Sequence, residues 1–215
     1  AASDIKKYNI NDINGIAEDG TTFWRVKDKA APHNAVTSTK KLLESAQSKK
    51  YKTTSTKESV LKYTTDEVNL ENGQGAVSVT IPHSNLQTVK YVYNEESKVY
   101  ERYARKKEQK DWTTGKTVTT KNIIITFCDN YTLTDSENKG RQGLKNIGTF
   151  DGYYITNGKA IKIKCIKNSR EEKTIYQDLD GNIINVNDGN TFVNICPINS
   201  DVILEAPETT DTNNT

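Results

Sequence analysis

In 215 residues the sequence has no methionine, two tryptophans, two histidines, three cysteines and four prolines. Each shortage excludes something. With no methionine at position 1, the chain is expected to be a processed or excised product rather than one read from its own translation start. No run of 18 apolar residues occurs, so no segment reads as a membrane-spanning helix. A signal-peptide pattern is also missing, and any exporting segment is expected upstream. The three cysteines, Cys128, Cys165 and Cys196, have neither CxxC nor metal-ligand spacing. His33 and His83 lie far apart without Glu or Cys at ligand distance, so neither a metal nor another cofactor is expected. Gly140, Gly143 and Gly148 lack the spacing of a phosphate loop and read as turns. Charge of one sign is scarce too: the net charge of +2 argues against a dedicated nucleic-acid protein.

What is present favours strands. Hydrophobic residues make up 33%, held down by abundant Thr, Asn and Lys rather than by the ordinary 27% of charged residues. Val, Ile, Tyr and Thr dominate the ordered-looking segments. Each cysteine sits in an apolar, alternating stretch, where it behaves as a small hydrophobe, so buried thiols are expected. One disulfide would still leave a free cysteine. Charge is distributed unevenly: residues 26–62 carry nine Lys against three acids, residues 98–110 six Lys or Arg against two, and the last sixteen residues four acids and no base.

The first twenty residues suit a short helix or turn. Residues 38–50 are the clearest helix, with Thr37, Ser38 or Thr39 as its cap. A weaker capping-box pattern runs from Ser55 to Glu58. Beyond Gly73 the pattern changes to period two. Residues 76–81 read as a strand stopped by Pro82, residues 89–103 as a hairpin, and residues 122–128 as the central buried strand. Asn157-Gly158 marks a type I′ hairpin between residues 153–156 and 159–165. A further hairpin is expected around Asp180-Gly181, followed by a strand over 191–197. The predicted fold class is therefore α+β, mainly antiparallel β-sheet with one or two helices in the N-terminal third. Residues 1–70 close an N-terminal part, 71–205 form a β-rich domain, and 206–215 are an acidic, disordered tail.

Chemistry-bearing residues concentrate between Phe23 and Thr39. Trp24 and Arg25 precede a basic spacer and Ala31-Pro32-His33-Asn34. In one reading Trp24 fills a core while His33 and Asn34 fix a turn. In the other, Arg25 holds an anion and His33 acts as donor or general base, although no nucleophile or carboxylate partner is specified. His83 reads as a solvated loop histidine at a strand end. The Asp178–Asn182 stretch resembles a calcium loop, but Gly189 occupies the twelfth position, so it reads as a hairpin turn. Residues 98–110 interleave Tyr with Lys and Arg, as single-strand binders do, yet alternation along an exposed arm accounts for the pattern.

Together Phe23-Trp24-Arg25, Ala31-Pro32-His33-Asn34 and Thr37-Ser38-Thr39 resemble the signature of the YerB-like lipoproteins of Gram-positive bacteria. Later blocks agree: Val89–Tyr103, Thr114-Gly115, Lys121–Ile124, Gly140-Arg141, Gly152–Ala160, Tyr176, Asp178, Gly181 and Gly189–Pro197. The resemblance spans roughly residues 3–205. It implies an exported protein of two parts, tethered by a lipid on an upstream cysteine, in a family of unknown function. Where similar proteins often carry Pro-His before the Thr-Gly turn, this chain has Gln109-Lys110-Asp111. The expected role is a non-enzymatic binding module at the outer face of the cytoplasmic membrane. Its expected partner is a cell-wall polymer or surface protein, contacted through Trp24, Arg25, His33, Asn34 and Arg141. The membrane is reached only through the upstream anchor. No residue is assigned as catalytic; the rival readings are a wall hydrolase or transferase with His33 as base, and an anionic-polymer or nucleic-acid binder using residues 98–110.

Overall fold

The computed structural model of the chain describes residues 2–84, 86–134 and 136–208. They divide into two compact units, Ala1–Glu58 and Ser59–Thr215.

The first unit contains α1 (Ala2–Lys7), β1 (Trp24–Arg25), β2 (Ala35–Val36) and α2 (Thr39–Ser48). Of the three possible caps for α2, Ser38 serves: its backbone is extended and its hydroxyl accepts from Lys41 N at 3.3 Å. The helix ends where Lys50 turns left-handed (φ 57°). There Lys50 N reaches Gln47 O at 2.9 Å and Tyr51 N reaches Ala46 O at 2.8 Å. The Ser55 pattern forms no helix. Instead Ser55 Oγ accepts from Lys57 N and Ser59 Oγ from Leu61 N. Such local side-chain bonds compete with a helical ladder.

The second unit is built of strands. In chain order these are β3 (Lys62–Thr64), β4 (Gln74–Gly75), β5 (Ser78–Ser84), β6 (Gln87–Asn94), β7 (Val99–Ala104), β8 (Lys107–Glu108) and β9 (Thr119–Thr120). Then come β10 (Asn122–Thr132), β11 (Gln142–Lys145), β12 (Gly148–Thr156), β13 (Lys159–Lys167), β14 (Ile175–Gln177), β15 (Asn185–Asn187), β16 (Thr191–Pro197) and β17 (Ile203–Glu205). One sheet runs β17-β5-β6-β7-β8, with β9 also on β7. The other runs β11-β10-β12-β13-β14, with β16 on β10 and β4 on β13. Pairing is antiparallel except for β16 along β10 and β15 along β3. The chain is thus α+β and mainly antiparallel sheet, with both helices in its first third.

Strand β10 is central, as its composition predicts. Ile123, Ile124 and Ile125 are all fully buried because both faces are covered. Ile123 and Ile125 meet Val79, Ile81, Val89, Tyr91 and Tyr100 of the other sheet. On the opposite face Ile124 packs with Tyr154, Ile163 and Val186. Burial of each isoleucine contributes about 1.5–3 kcal/mol. The turn between β12 and β13 has positive φ at both Asn157 (49°) and Gly158 (73°), as a type I′ turn requires.

Two expectations need correction, and a third is narrowed. Pro82 does not stop its strand: β5 continues to Ser84, with Pro82 opposite Thr88 and a register irregularity beyond it. Neighbouring β17 covers only Ser78–Thr80, so the free edge at Pro82 needs no N–H donor. The hairpin at Asp180-Gly181 forms but is short. Its second arm bridges Gln177 through Ile183 and donates from Ile184 N to Tyr176 O at 2.9 Å, and then leaves to pair with β3 as β15. Of the glycines read as turns, Gly143 lies in β11, which runs along the far end of β10, and Gly148 opens β12, while Gly140 keeps a positive φ of 65° outside any strand. All three cysteines are buried and free, and burial pushes Cys165 and Cys196 up to about 11. They are packed thiols, and no disulfide joins them. Of the acidic tail, residues 206–208 are coil, and residues 209–215 lie outside the described residues.

Candidate functional site

In the first unit, β1 and β2 form a short ribbon pairing Trp24 with Val36 and Arg25 with Ala35. The connecting loop closes on itself. Val26 N donates to Asn34 O at 2.9 Å, and Asn34 Nδ2 donates to Val26 O at 3.2 Å. Arg25 Nη1 donates to Asn34 Oδ1 (3.3 Å) and Pro32 O (3.4 Å), and its Nε faces Asp19 Oδ2 at 3.2 Å. Asp19 therefore supplies the anion for Arg25. Trp24 remains 40% exposed and fills no core. His33 is exposed, its backbone N–H bound to Ala30 O. No hydrogen bond joins its ring to Ser, Asp or Glu among the described residues, so this loop holds no general-base dyad. Arg141 belongs to the other unit. It pairs there with Glu137, and its carbonyl accepts from Leu133 N.

Glu18 pins the first unit. Its Oε2 accepts from Ser45 Oγ and Thr22 Oγ1, both at 2.6 Å, and Lys49 Nζ lies 3.3 Å from Oε1. These partners hold the carboxyl below its ordinary range, the Ser45 bond most strongly.

Residues 98–110 fold as β7, a turn and β8. Tyr100 is fully buried, its hydroxyl donating to Ala76 O at 3.0 Å, so its ring offers nothing for a base to stack on. Tyr100 and Arg102 share the inner face of β7. Period two decides this, since the two are two residues apart. Lys98 pairs with Glu67 at 3.3 Å and Lys110 with Glu108 at 3.2 Å.

Arg102 lies with its guanidinium over the rings of Phe192 (5.1 Å) and Tyr91 (5.9 Å), donating from Nε to Tyr91 Oη at 3.4 Å. Tyr91 Oη in turn donates to Asn194 Oδ1 at 3.4 Å. His83, at the end of β5 and partly buried, completes the cluster. Burial first, and the Arg102 charge second, push its imidazole below the ordinary range, and the Asn194 side chain partly opposes them. The sequence reading placed His83 in a solvated loop. The structure puts it in the strand, because Pro82 fails to end β5.

A second feature is an open cleft of about 390 Å³ on the same face of the β10 sheet, lined by Phe127, Asp151, Tyr153, Lys162, Lys164 and Leu179 over Gly152. Phe127 and Tyr153 meet edge to face at 6.0 Å. Asp151 is engaged by Lys164 at 2.5 Å, while Lys162 is exposed and has no acidic partner among the described residues. Leu179 stands 63% exposed on the Asp178–Asn182 turn. That turn is closed by Asp178 Oδ1 accepting from Asp180 N (3.0 Å) and Asn182 N (2.8 Å). This is the hairpin geometry rather than an ion site, and the described residues include no metal-binding group of His, Cys, Asp and Glu.

These observations define an α+β protein whose larger unit joins two packed sheets to an aromatic and basic cleft. The chain belongs to the family of proteins of unknown function DUF3048: the family's N-terminal domain matches residues 1–52 and its C-terminal domain residues 77–193. It is similar to the protein named Putative lipoprotein YerB of Bacillus subtilis (strain 168), 26% identical over 194 residues. That match covers 86% of this chain and 54% of the relative, so the chain spans about half the length of the curated relative. The crystal structure of YerB protein from Bacillus subtilis has the same fold, with a TM-score of 0.77 at 23% identity, covering 94% of this chain and 67% of that one. The YerB-like resemblance drawn from the Trp24–Asn34 segment and the later blocks is thereby shown.

Proposed function

We propose that this chain is part of an extracytoplasmic lipoprotein whose second unit is a non-enzymatic binding module for an anionic cell-wall polymer. The lipoprotein part is supported by the name of the Bacillus subtilis relative, Putative lipoprotein YerB; in this reading the protein sits at the outer face of the cytoplasmic membrane, held by a lipid on an upstream segment. No helix among the described residues is long and apolar enough to cross a membrane. The observation that carries the binding role is the Tyr153 cleft. The Phe127 and Tyr153 rings offer apolar faces to the C–H surfaces of sugars, and Lys162 and Lys164 set positive charge beside them. Its residues provide contact surfaces and no nucleophile paired with a base. Trp24, Arg25, His33 and Asn34 in the first unit are a second proposed contact surface, suited to a surface protein through the exposed indole; Arg141 in the second unit is a separate proposed contact.

The test is co-sedimentation of the purified chain with isolated Gram-positive cell walls. The wild type pellets with the walls, and Tyr153→Ala combined with Lys162→Glu weakens this at least about fivefold. Equal pelleting of a folded double variant would remove the cleft from the account.

A further inference from the structure

The Arg102 cluster contains two groups whose polar capacity is unmet. Asn194 is only 7% exposed, yet its Nδ2 is buried without a hydrogen-bond partner. A buried amide donor left unmade costs about 1–3 kcal/mol, so such atoms are rare unless something else satisfies them. Arg102 is the second. Its Nε is bound to Tyr91 Oη and its plane rests on Phe192 and Tyr91, but no carboxylate pairs with it among the described residues. Stacking on two rings fixes the guanidinium in orientation and leaves its Nη edge as a preset fork.

The acids nearest in sequence cannot serve. Glu101 accepts from Asn94 Nδ2 at 3.2 Å and from Tyr103 Oη at 3.4 Å, on the opposite face of β7. Glu108 pairs across the ladder with Tyr103, also on that outer face, and is engaged by Thr117 and Lys110. His83 adds a third donor when charged. Gln109, whose backbone N–H donates to Arg102 O at 2.9 Å, presents a buried Oε1 with no donor. An unpaired cation, an unpaired amide donor and a titratable imidazole therefore converge where no protein anion answers them.

We propose that His83, Arg102 and Asn194 form a binding site for a single oxyanion, a carboxylate or phosphate group, held by the Arg102 fork and the Asn194 amide and oriented by Tyr91 and Phe192. Gln109 Oε1 suits a hydroxyl next to that oxyanion. The cross-strand row Lys162–Tyr153–Ile125–Asn194 places Asn194 on the same sheet face as the cleft, two strand spacings or roughly 10 Å from Tyr153. The site does not depend on the cleft, and its test uses small anions rather than walls.

The experiment is a titration of the ¹⁵N-labelled chain with inorganic phosphate and, separately, with acetate at constant ionic strength. It follows the Asn194 side-chain amide and the His83 ring by NMR. Expected are a saturable shift of the Asn194 amide pair, a rise in the His83 pKa on binding, and about tenfold or greater weakening in Arg102→Gln. Saturation by phosphate alone or by acetate alone assigns the oxyanion's source. If Arg102→Gln does not fold, Arg102→Lys, which keeps the charge and loses the fork, carries the comparison. The wild-type His83 pKa with and without anion needs no variant. Absence of a saturable shift with either anion, or an unchanged response in the folded Arg102 variant, overturns the proposal.

Discussion

Tyr154→Phe deletes one oxygen atom from the most polar place in the core, and the structure fixes what that removal costs. Tyr154 is fully buried between β12 and the β3–β15 layer. Its hydroxyl donates to Asn122 Oδ1 at 3.0 Å and accepts from Asn187 N at 3.1 Å. Asn122 Nδ2 continues the network to Asn187 O (2.7 Å) and Thr191 Oγ1 (3.2 Å), while Asn187 Nδ2 reaches Thr156 Oγ1 at 3.0 Å. Phenylalanine fills the same space, so no cavity forms. The loss is two stranded polar groups, one acceptor and one backbone donor. Each costs about 1–3 kcal/mol, and because the rest of the network persists the expected total is about 2–4 kcal/mol. For a unit of this size that lowers the melting temperature by roughly 4–16 °C. Urea unfolding followed by far-UV circular dichroism measures it, with the m-value unchanged. The control is Tyr63→Phe: Tyr63 is 44% exposed and its hydroxyl bonds Thr191 Oγ1 at 3.2 Å, so the same deletion there should stay within about 0.5 kcal/mol. A Tyr154→Phe loss no larger than the control's would refute the reasoning that this network is dry and fully engaged.

Other consequences follow from the same structure. Gly152→Ala should cost about 3 kcal/mol or more in urea unfolding, because a Cβ there would sit 2.1 Å from Ile125 O and force β10 and β12 apart. Glu67 is held below its ordinary range, first by Lys121 and then by Lys98 and Asn157. Its contribution is present above the ordinary carboxylate pKa and is lost as pH falls through the lowered one. Glu67→Gln should therefore flatten the stability profile between about pH 5 and pH 3; an unchanged profile would contradict the network. With Cys165 and Cys196 pushed up to about 11, neither thiol should react with a disulfide reagent at neutral pH until urea unfolds the chain. Rapid labelling of the native protein would show that the thiols are open to solvent.

Much of the fold is written locally. The Ile123–Ile125 run, the Asn157-Gly158 turn and the Ser38 cap each depend on one residue's own geometry or on a short apolar pattern, and these are legible in the sequence. The parallel seating of β16 on β10 and of β15 on β3 is a long-range choice with no local mark. The candidate site divides the same way. The segment from Trp24 to Asn34 stands out by composition, yet its Arg25 closes a loop with Asp19 and Asn34. Arg102 was concealed because a basic residue among basic residues reads as solvated. Only its two-residue offset from Tyr100 shows that it faces inward. Asn194 gave no signal, since its buried amide matters only through the meeting of β16 with β5, β6 and β7.

The central claim is that the Tyr153 cleft of the second unit contacts an anionic wall polymer. The most direct measurement is an NMR chemical-shift titration of the labelled chain with soluble fragments of such a polymer. Saturable shifts are predicted to cluster at Phe127, Asp151–Tyr153, Lys162–Lys164 and Leu179. Shifts that never saturate, or that appear only in the first unit, would contradict the claim.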